Sequence, residues 1–167
     1  MVVPDKAATA RPTSLRDQGR GVRQIFSSMV FWRAAPWATL SQATFMALQS
    51  LWAGPWLRDV GGLGRGPVAT VLLSTAASMV VGYLFMGVVA ERLSRAGIRP
   101  MTVAGVGMLL FMFCQAVIMM GWHLPPLLLW VVFGFSGTSG ILVYADLSQR
   151  FPAELAGRVN TGLNLLV

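Results

Sequence analysis

Charge is nearly absent from three long stretches of this chain. Residues 34–57 and 66–90 contain no Asp, Glu, Lys, Arg or His, and residues 100–145 contain only His123. A bilayer hydrocarbon core of about 30 Å takes about 20 helical residues at a rise of about 1.5 Å each. The first two stretches are long enough for one span apiece. The third is long enough for two, because Gly121-Trp122-His123-Leu124-Pro125-Pro126 interrupts it with a turn signal. The pattern predicts helices near 34–53, 67–90, 101–121 and 126–146, with a fifth that starts near 158 and runs to Val167. Each run lacks the period-2 alternation of a barrel strand, so the expected fold class is an all-α, polytopic transmembrane helix bundle.

Composition agrees with a lipid solvent. With 55% apolar and 11% charged residues, a soluble domain of this size would lack the polar surface to stay dispersed. A net charge of +7 raises the question of nucleic acid. The cationic residues, however, sit in the breaks between apolar runs and not on a basic stripe with interleaved aromatics, so no nucleic-acid partner is expected. The partner that the composition implies is the lipid bilayer. Cys114 is the only cysteine and offers neither a disulfide framework nor a thiol metal site. Residues 1–24 carry Pro4, Lys6, Arg11, Arg16, Arg20 and Arg23 and no apolar segment, so they are not expected to act as a secretory signal. Residues 1–33 read as a solvated basic tail. It becomes amphipathic toward Ile25-Phe26 and Met29-Val30-Phe31-Trp32, where a short interfacial helix would fit.

Basic residues then orient the bundle. Eleven of the 13 Lys and Arg fall in residues 1–33, 91–100 and 147–158, and the other two, Arg58 and Arg65, fall in the alternate loops. The positive-inside rule therefore predicts a multi-pass plasma-membrane protein with the N-terminus, the 91–100 loop and the 147–158 loop in the cytoplasm, and the expected location is a bacterial inner membrane. Trp52, Trp56 and Trp122 come out near the outer interface and Trp32 near the inner one, as in an aromatic belt.

Polar side chains inside the spans mark the candidate chemistry. Gln42, Phe45, Met46, Gln49, Trp52 and Trp56 share one face of the first helix. Two carboxamides on that face are costly in lipid, so they either meet a polar, uncharged ligand group or hydrogen-bond a neighbouring helix. In the second span Ser74, Ser78 and Gly82 make a small-residue stripe suited to close helix packing. In the fourth, Gly134, Ser136, Gly137, Thr138, Ser139 and Gly140 make a soft, polar segment.

Catalysis is not expected. Gly134-Phe135-Ser136-Gly137 matches the Gly-x-Ser-Gly of intramembrane serine proteases, but a serine nucleophile needs a base, and His123 lies in an outer turn. Asp146 has no second acid in a span with which to form a dyad. The residues imply neither a metal site nor a resident cofactor, although a coupling ion such as a proton remains compatible with them.

The charged motif with most information is Gly87-Val88-Val89-Ala90-Glu91-Arg92-Leu93-Ser94-Arg95. It resembles the signature loop of the major facilitator superfamily, Gly-x-x-x-Asp-Arg-x-Gly-Arg, with Gly87, Glu91, Arg92 and Arg95 in the matching positions. Glu91 replaces the usual Asp and Ser94 the usual Gly, as in the degenerate second copy of that loop. Phe31-Trp32-Arg33-Ala34-Ala35-Pro36, Leu51-Trp52-Ala53-Gly54-Pro55-Trp56-Leu57-Arg58-Asp59 and Phe151-Pro152-Ala153-Glu154-Leu155-Ala156-Gly157-Arg158 resemble the second half of such transporters.

The resemblance covers residues 20–167. It implies transport of a small-molecule solute by alternating access, with this chain a portion of the C-terminal six-helix half and the N-terminal half its missing partner. It also implies that the first and fourth spans line the cavity, making Gln42, Phe45, Met46, Gln49, Trp52, Ser136 and Ser139 cavity candidates, with Gln49 expected to contribute to substrate binding and Gln42 deeper in the same cavity. Glu91 and Arg92 become conformational-gate residues, and Arg158 a reciprocal one. A non-transporting membrane subunit or receptor is the alternative reading, and an intramembrane serine protease a remote one.

Overall fold

The computed structural model describes residues 15–121 and 124–167. Among them every regular element is helical. Helix α1 (Leu15–Phe26) leads through Ser27 and Ser28 into α2 (Met29–Ala47), which continues as a π-helical turn (Leu48–Trp52) and then α3 (Ala53–Asp59). Helices α4 (Arg65–Arg95) and α5 (Pro100–Met120) follow. Next come α6 (Pro126–Gly137), a 3₁₀ turn (Thr138–Gly140) and α7 (Ile141–Gln149), which together form one rod, and then α8 (Ala153–Leu166). Three of these helices, Arg65–Arg95, Pro100–Met120 and Pro126–Gln149, are long and apolar enough to cross a membrane. The chain is a helical membrane protein.

Boundaries differ from the hydropathy reading where charged residues continue a helix. Helix α4 runs to Arg95, beyond the limit near 90, because Glu91 and Arg95 pair at i, i+4 and so carry helical geometry through the charged segment. Gly97, with φ +84°, then turns the chain and Pro100 opens α5. Helix α8 begins at Ala153 and not near 158, with Pro152 at its N-cap and Glu154 in the first turn. The tail assigned to residues 1–33 is not all solvated. Ile25 of α1 is fully buried and α1 packs on α8. Residues 1–14, Trp122 and His123 lie outside the described residues.

The first apolar stretch is helical throughout Met29–Asp59, but its ladder changes step. The Ala53 amide bonds the Leu48 carbonyl, five residues back. Pro55 explains the location, since it has no N–H to offer the Leu51 carbonyl and its ring crowds that oxygen. Widening the turn just upstream relieves the conflict. The Ser50 hydroxyl takes up the Met46 carbonyl beside the altered step.

The rod Pro126–Gln149 is the centre of the bundle, 61% buried across its apolar window against 22% for α4. It packs on α4 and α5 through α6 and on α8 and α2 through α7. Two apolar cores lie toward opposite ends of the bundle. One gathers Phe31, Met86, Met108, Val143, Leu147 and Val159, and the other Phe45, Leu57, Phe111, Val117, Trp130 and Phe133. A layer of small and hydroxylated residues separates them, with Thr75, Ser78, Ser136, Thr138 and Ser139 all buried.

Glycine sets the spacing in that layer. A methyl added to Gly82 would fall 2.6 Å from Thr138 Oγ1 and 2.9 Å from the Phe135 carbonyl, and one on Gly134 would fall 2.6 Å from Ser78 Oγ. Close backbone approach between α4 and α6 thus requires both glycines. The buried stripe on α4 is Thr75, Ser78 and Gly82, while Ser74, the stripe member expected from sequence, is only half-buried.

Candidate functional site: a polar groove beside the 3₁₀ turn

Where α2, α4, α7 and α8 converge, an open groove of about 480 Å³ is lined by Gln42, Tyr83, Thr138, Tyr144, Ser148, Asn160 and Asn164, with Gly137, Ile141 and Ala145. None of the ten carries a formal charge. Local sequence explains the opening. Glycines at 134, 137 and 140 and the Thr138 hydroxyl, which donates to the Phe135 carbonyl at 2.6 Å, favour a tightened turn over a regular helix. Past that turn, Tyr144 and Ser148 are one turn apart on α7, and Asn160 and Asn164 are one turn apart on α8.

The two helices are joined by a short polar ladder. The Tyr144 hydroxyl donates to Asn164 Oδ1 at 3.0 Å, and the Ser148 hydroxyl reaches Asn160 Oδ1 at 2.9 Å while also bonding the Tyr144 carbonyl at 2.6 Å. Gln42 makes no hydrogen bond to another described side chain, so its carboxamide is open to the groove. The arrangement offers amide and hydroxyl groups that both donate and accept. Such a lining suits a neutral, hydrogen-bonding solute and gives an ion no counter-charge.

The residues proposed from sequence part company here. Gln42 lines the groove. Gln49 turns to α4 instead, its Nε2 lying 3.0 Å from Met79 Sδ. Phe45 is a core residue, stacked on Phe133 with ring centroids 5.4 Å apart and tilted on Phe111 at 5.7 Å. Met46 and Trp52 are exposed on the outer surface. Ser136 and Ser139 are fully buried: the Ser136 hydroxyl bonds its own helix at the Val132 carbonyl, 2.7 Å away, and Ser139 packs on Gly107 of α5. At Ser139 the cause is close packing, because Gly107 leaves room for its side chain against α5.

Sequence reasoning missed Tyr83, Tyr144, Ser148, Asn160 and Asn164. The signal available was the i, i+4 spacing of uncharged polar residues in both α7 and α8, two matching pairs.

The charged segments lie elsewhere. Glu91 and Arg95 pair with each other at 2.5 Å on the surface, Arg92 is exposed, and Gly87 has open space around it. Arg158 lies beside Gly21, Pro152, Glu154 and Leu155, where α1 crosses the start of α8. At the end of α7, Arg150 forks onto Asp146 with Nε–Oδ2 at 2.6 Å and Nη2–Oδ1 at 3.2 Å. Hydrogen bonding to Asp146, and then its charge, push the Arg150 pKa above its ordinary value, so the guanidinium stays cationic. Among the described residues no cluster of His, Cys, Asp and Glu could hold a metal ion. Compared with known protein families, with curated proteins and with solved structures, the chain has no match.

Proposed function

We propose that the protein transports a small, uncharged polar solute across the membrane by alternating access, in the manner of a major facilitator superfamily secondary transporter. The observation that carries this reading is the groove at Gln42, Tyr144, Asn160 and Asn164, a neutral hydrogen-bonding surface where helices of the bundle converge. Polar groups inside a membrane bundle are costly and mark solute paths. The resemblance of Gly87–Arg95 to the superfamily's signature loop supports the same reading, because a cytoplasmic brace with an exposed Arg92 and an exposed Glu91–Arg95 pair is available to engage another part of a transporter. Thr138, in the 3₁₀ turn of the fourth span, lines the groove, and irregular backbone at membrane depth is tolerated where it lines a cavity. On this reading the protein sits in a bacterial inner membrane with its N-terminus in the cytoplasm.

The test is solute counterflow. The native polypeptide, reconstituted in proteoliposomes, is assayed against radiolabelled sugars, polyols and small amides, as wild type and as Gln42→Ala. Counterflow of one solute class that falls several-fold in Gln42→Ala supports transport through the groove. Absence of counterflow for every class, with the folded protein intact, rejects it.

A further inference from the structure

A second groove, separate from the polar one, lies at the end of the bundle where basic residues gather. It has a volume of about 410 Å³ and is bordered by Arg33 and Trp37 of α2, Met101 of α5, Asp146 of α7 and Arg150 just beyond it. Arg150 follows immediately on the membrane-length rod Pro126–Gln149, and Met101 is the second residue of the membrane-length helix α5. The groove is therefore at the level where hydrocarbon gives way to headgroups. Its formal charges are two guanidinium groups and one carboxylate, a net charge of one positive. Arg150 spends two of its five N–H donors on Asp146. The Arg33 side chain forms no ion pair or hydrogen bond with another described residue.

Trp37 also borders an apolar groove of about 270 Å³ that continues between α2 and α5 along Leu40, Met108, Phe111 and Met112. Met101, Met108 and Met112 fall on one face of α5, so a single helix face serves both grooves. A cationic pocket that opens into an apolar channel, with an indole at the junction, matches a molecule with an anionic head and a hydrocarbon tail. Basic pockets between transmembrane helices bind anionic headgroups in this way, and arginine's fork matches phosphate oxygens.

We propose that this site binds an anionic phospholipid, its phosphate between Arg33 and Arg150 and one acyl chain along Trp37, Leu40, Met108 and Met112. The inference does not rest on solute transport.

The experiment is native mass spectrometry of the full chain extracted from bilayers containing equal phosphatidylglycerol and phosphatidylcholine. Wild type is expected to retain phosphatidylglycerol preferentially, and Arg33→Gln to lose that preference several-fold. Arg99→Gln, which removes an exposed cation outside the groove, is expected to keep it. Equal retention of the two lipids by wild type, or an equal loss in Arg33→Gln and Arg99→Gln, overturns the site. Displacement of the lipid by glycerol 3-phosphate at comparable concentration assigns the pocket to a soluble phosphate and overturns the lipid assignment. If Arg33→Gln fails to fold, Arg33→Lys reads the same preference, since it keeps the charge without the fork. An intermediate preference supports the proposal, and an unchanged one overturns it.

Discussion

The Tyr144 hydroxyl donates to the Asn164 carboxamide oxygen at 3.0 Å, tying the central rod to α8 across the mouth of the polar groove. One turn further along α7, Ser148 meets Asn160 at 2.9 Å. Interhelical hydrogen bonds in membranes average about 0.6 kcal/mol by double-mutant cycles. Ser148→Ala combined with Asn160→Ala should therefore show a coupling of about that size in reversible unfolding. Purely additive losses would mean that the two side chains do not bond.

Packing at the glycine contacts should matter more. Gly82→Val places side-chain atoms against Thr138 and the Phe135 carbonyl, and overpacking of this kind costs about 1–3 kcal/mol. Gly87→Ala, with open space around it, should leave thermal unfolding in detergent unchanged. A Gly82→Val protein that melts with wild type would refute the close α4–α6 approach.

The positions of the helices were legible because an apolar run of membrane length leaves the backbone few alternatives to a helix. Which side of a helix faces what was less legible. Phe45 and Met46 are adjacent in sequence and roughly 100° apart around the axis, so a stripe drawn to contain both reaches from the aromatic core to the outer surface. Periodicity names a stripe but not the neighbour it meets. The groove itself is tertiary: Tyr144 and Ser148 acquire meaning only when α8 brings Asn164 and Asn160 alongside. The π turn had a local cause in Pro55, but whether a proline kinks, ends or widens a helix depends on what packs around it.

The proposed cytoplasmic placement of the 91–100 loop rests on the uneven distribution of basic residues. In a Cys114→Ser background, a cysteine replacing Arg95 should resist a membrane-impermeant maleimide in intact cells and react after permeabilisation. Wild-type Cys114 is buried and should react only on unfolding. Labelling at position 95 from outside would reverse the orientation.

The signature segment predicts a separation of stability from turnover. Glu91 and Arg92 are exposed and the Glu91–Arg95 pair is a surface i, i+4 bridge, a class that contributes little to folding. Under the proposed transport reading, Glu91→Gln and Arg92→Ala should melt with wild type while slowing transport at unchanged solute affinity, because a brace would bias the inward–outward equilibrium without touching solute. Unaltered transport rates in both variants at equal expression would remove the gate.

Gln42 and Gln49 are seven residues apart and should respond oppositely to truncation. Gln42 presents its carboxamide to the groove without a described hydrogen-bond partner, whereas Gln49 faces Met79 Sδ at 3.0 Å in a partly buried helix contact. A lost ligand hydrogen bond is worth about 1 kcal/mol, or several-fold in affinity. Gln42→Ala should therefore weaken solute binding by that amount and leave unfolding nearly unchanged. Gln49→Ala removes a contact between the π turn and α4, so it should lower thermal stability and leave affinity alone. Measuring both quantities on both variants separates the roles. Weaker binding in Gln49→Ala with wild-type stability would return Gln49 to the ligand face and contradict the position of its side chain against Met79.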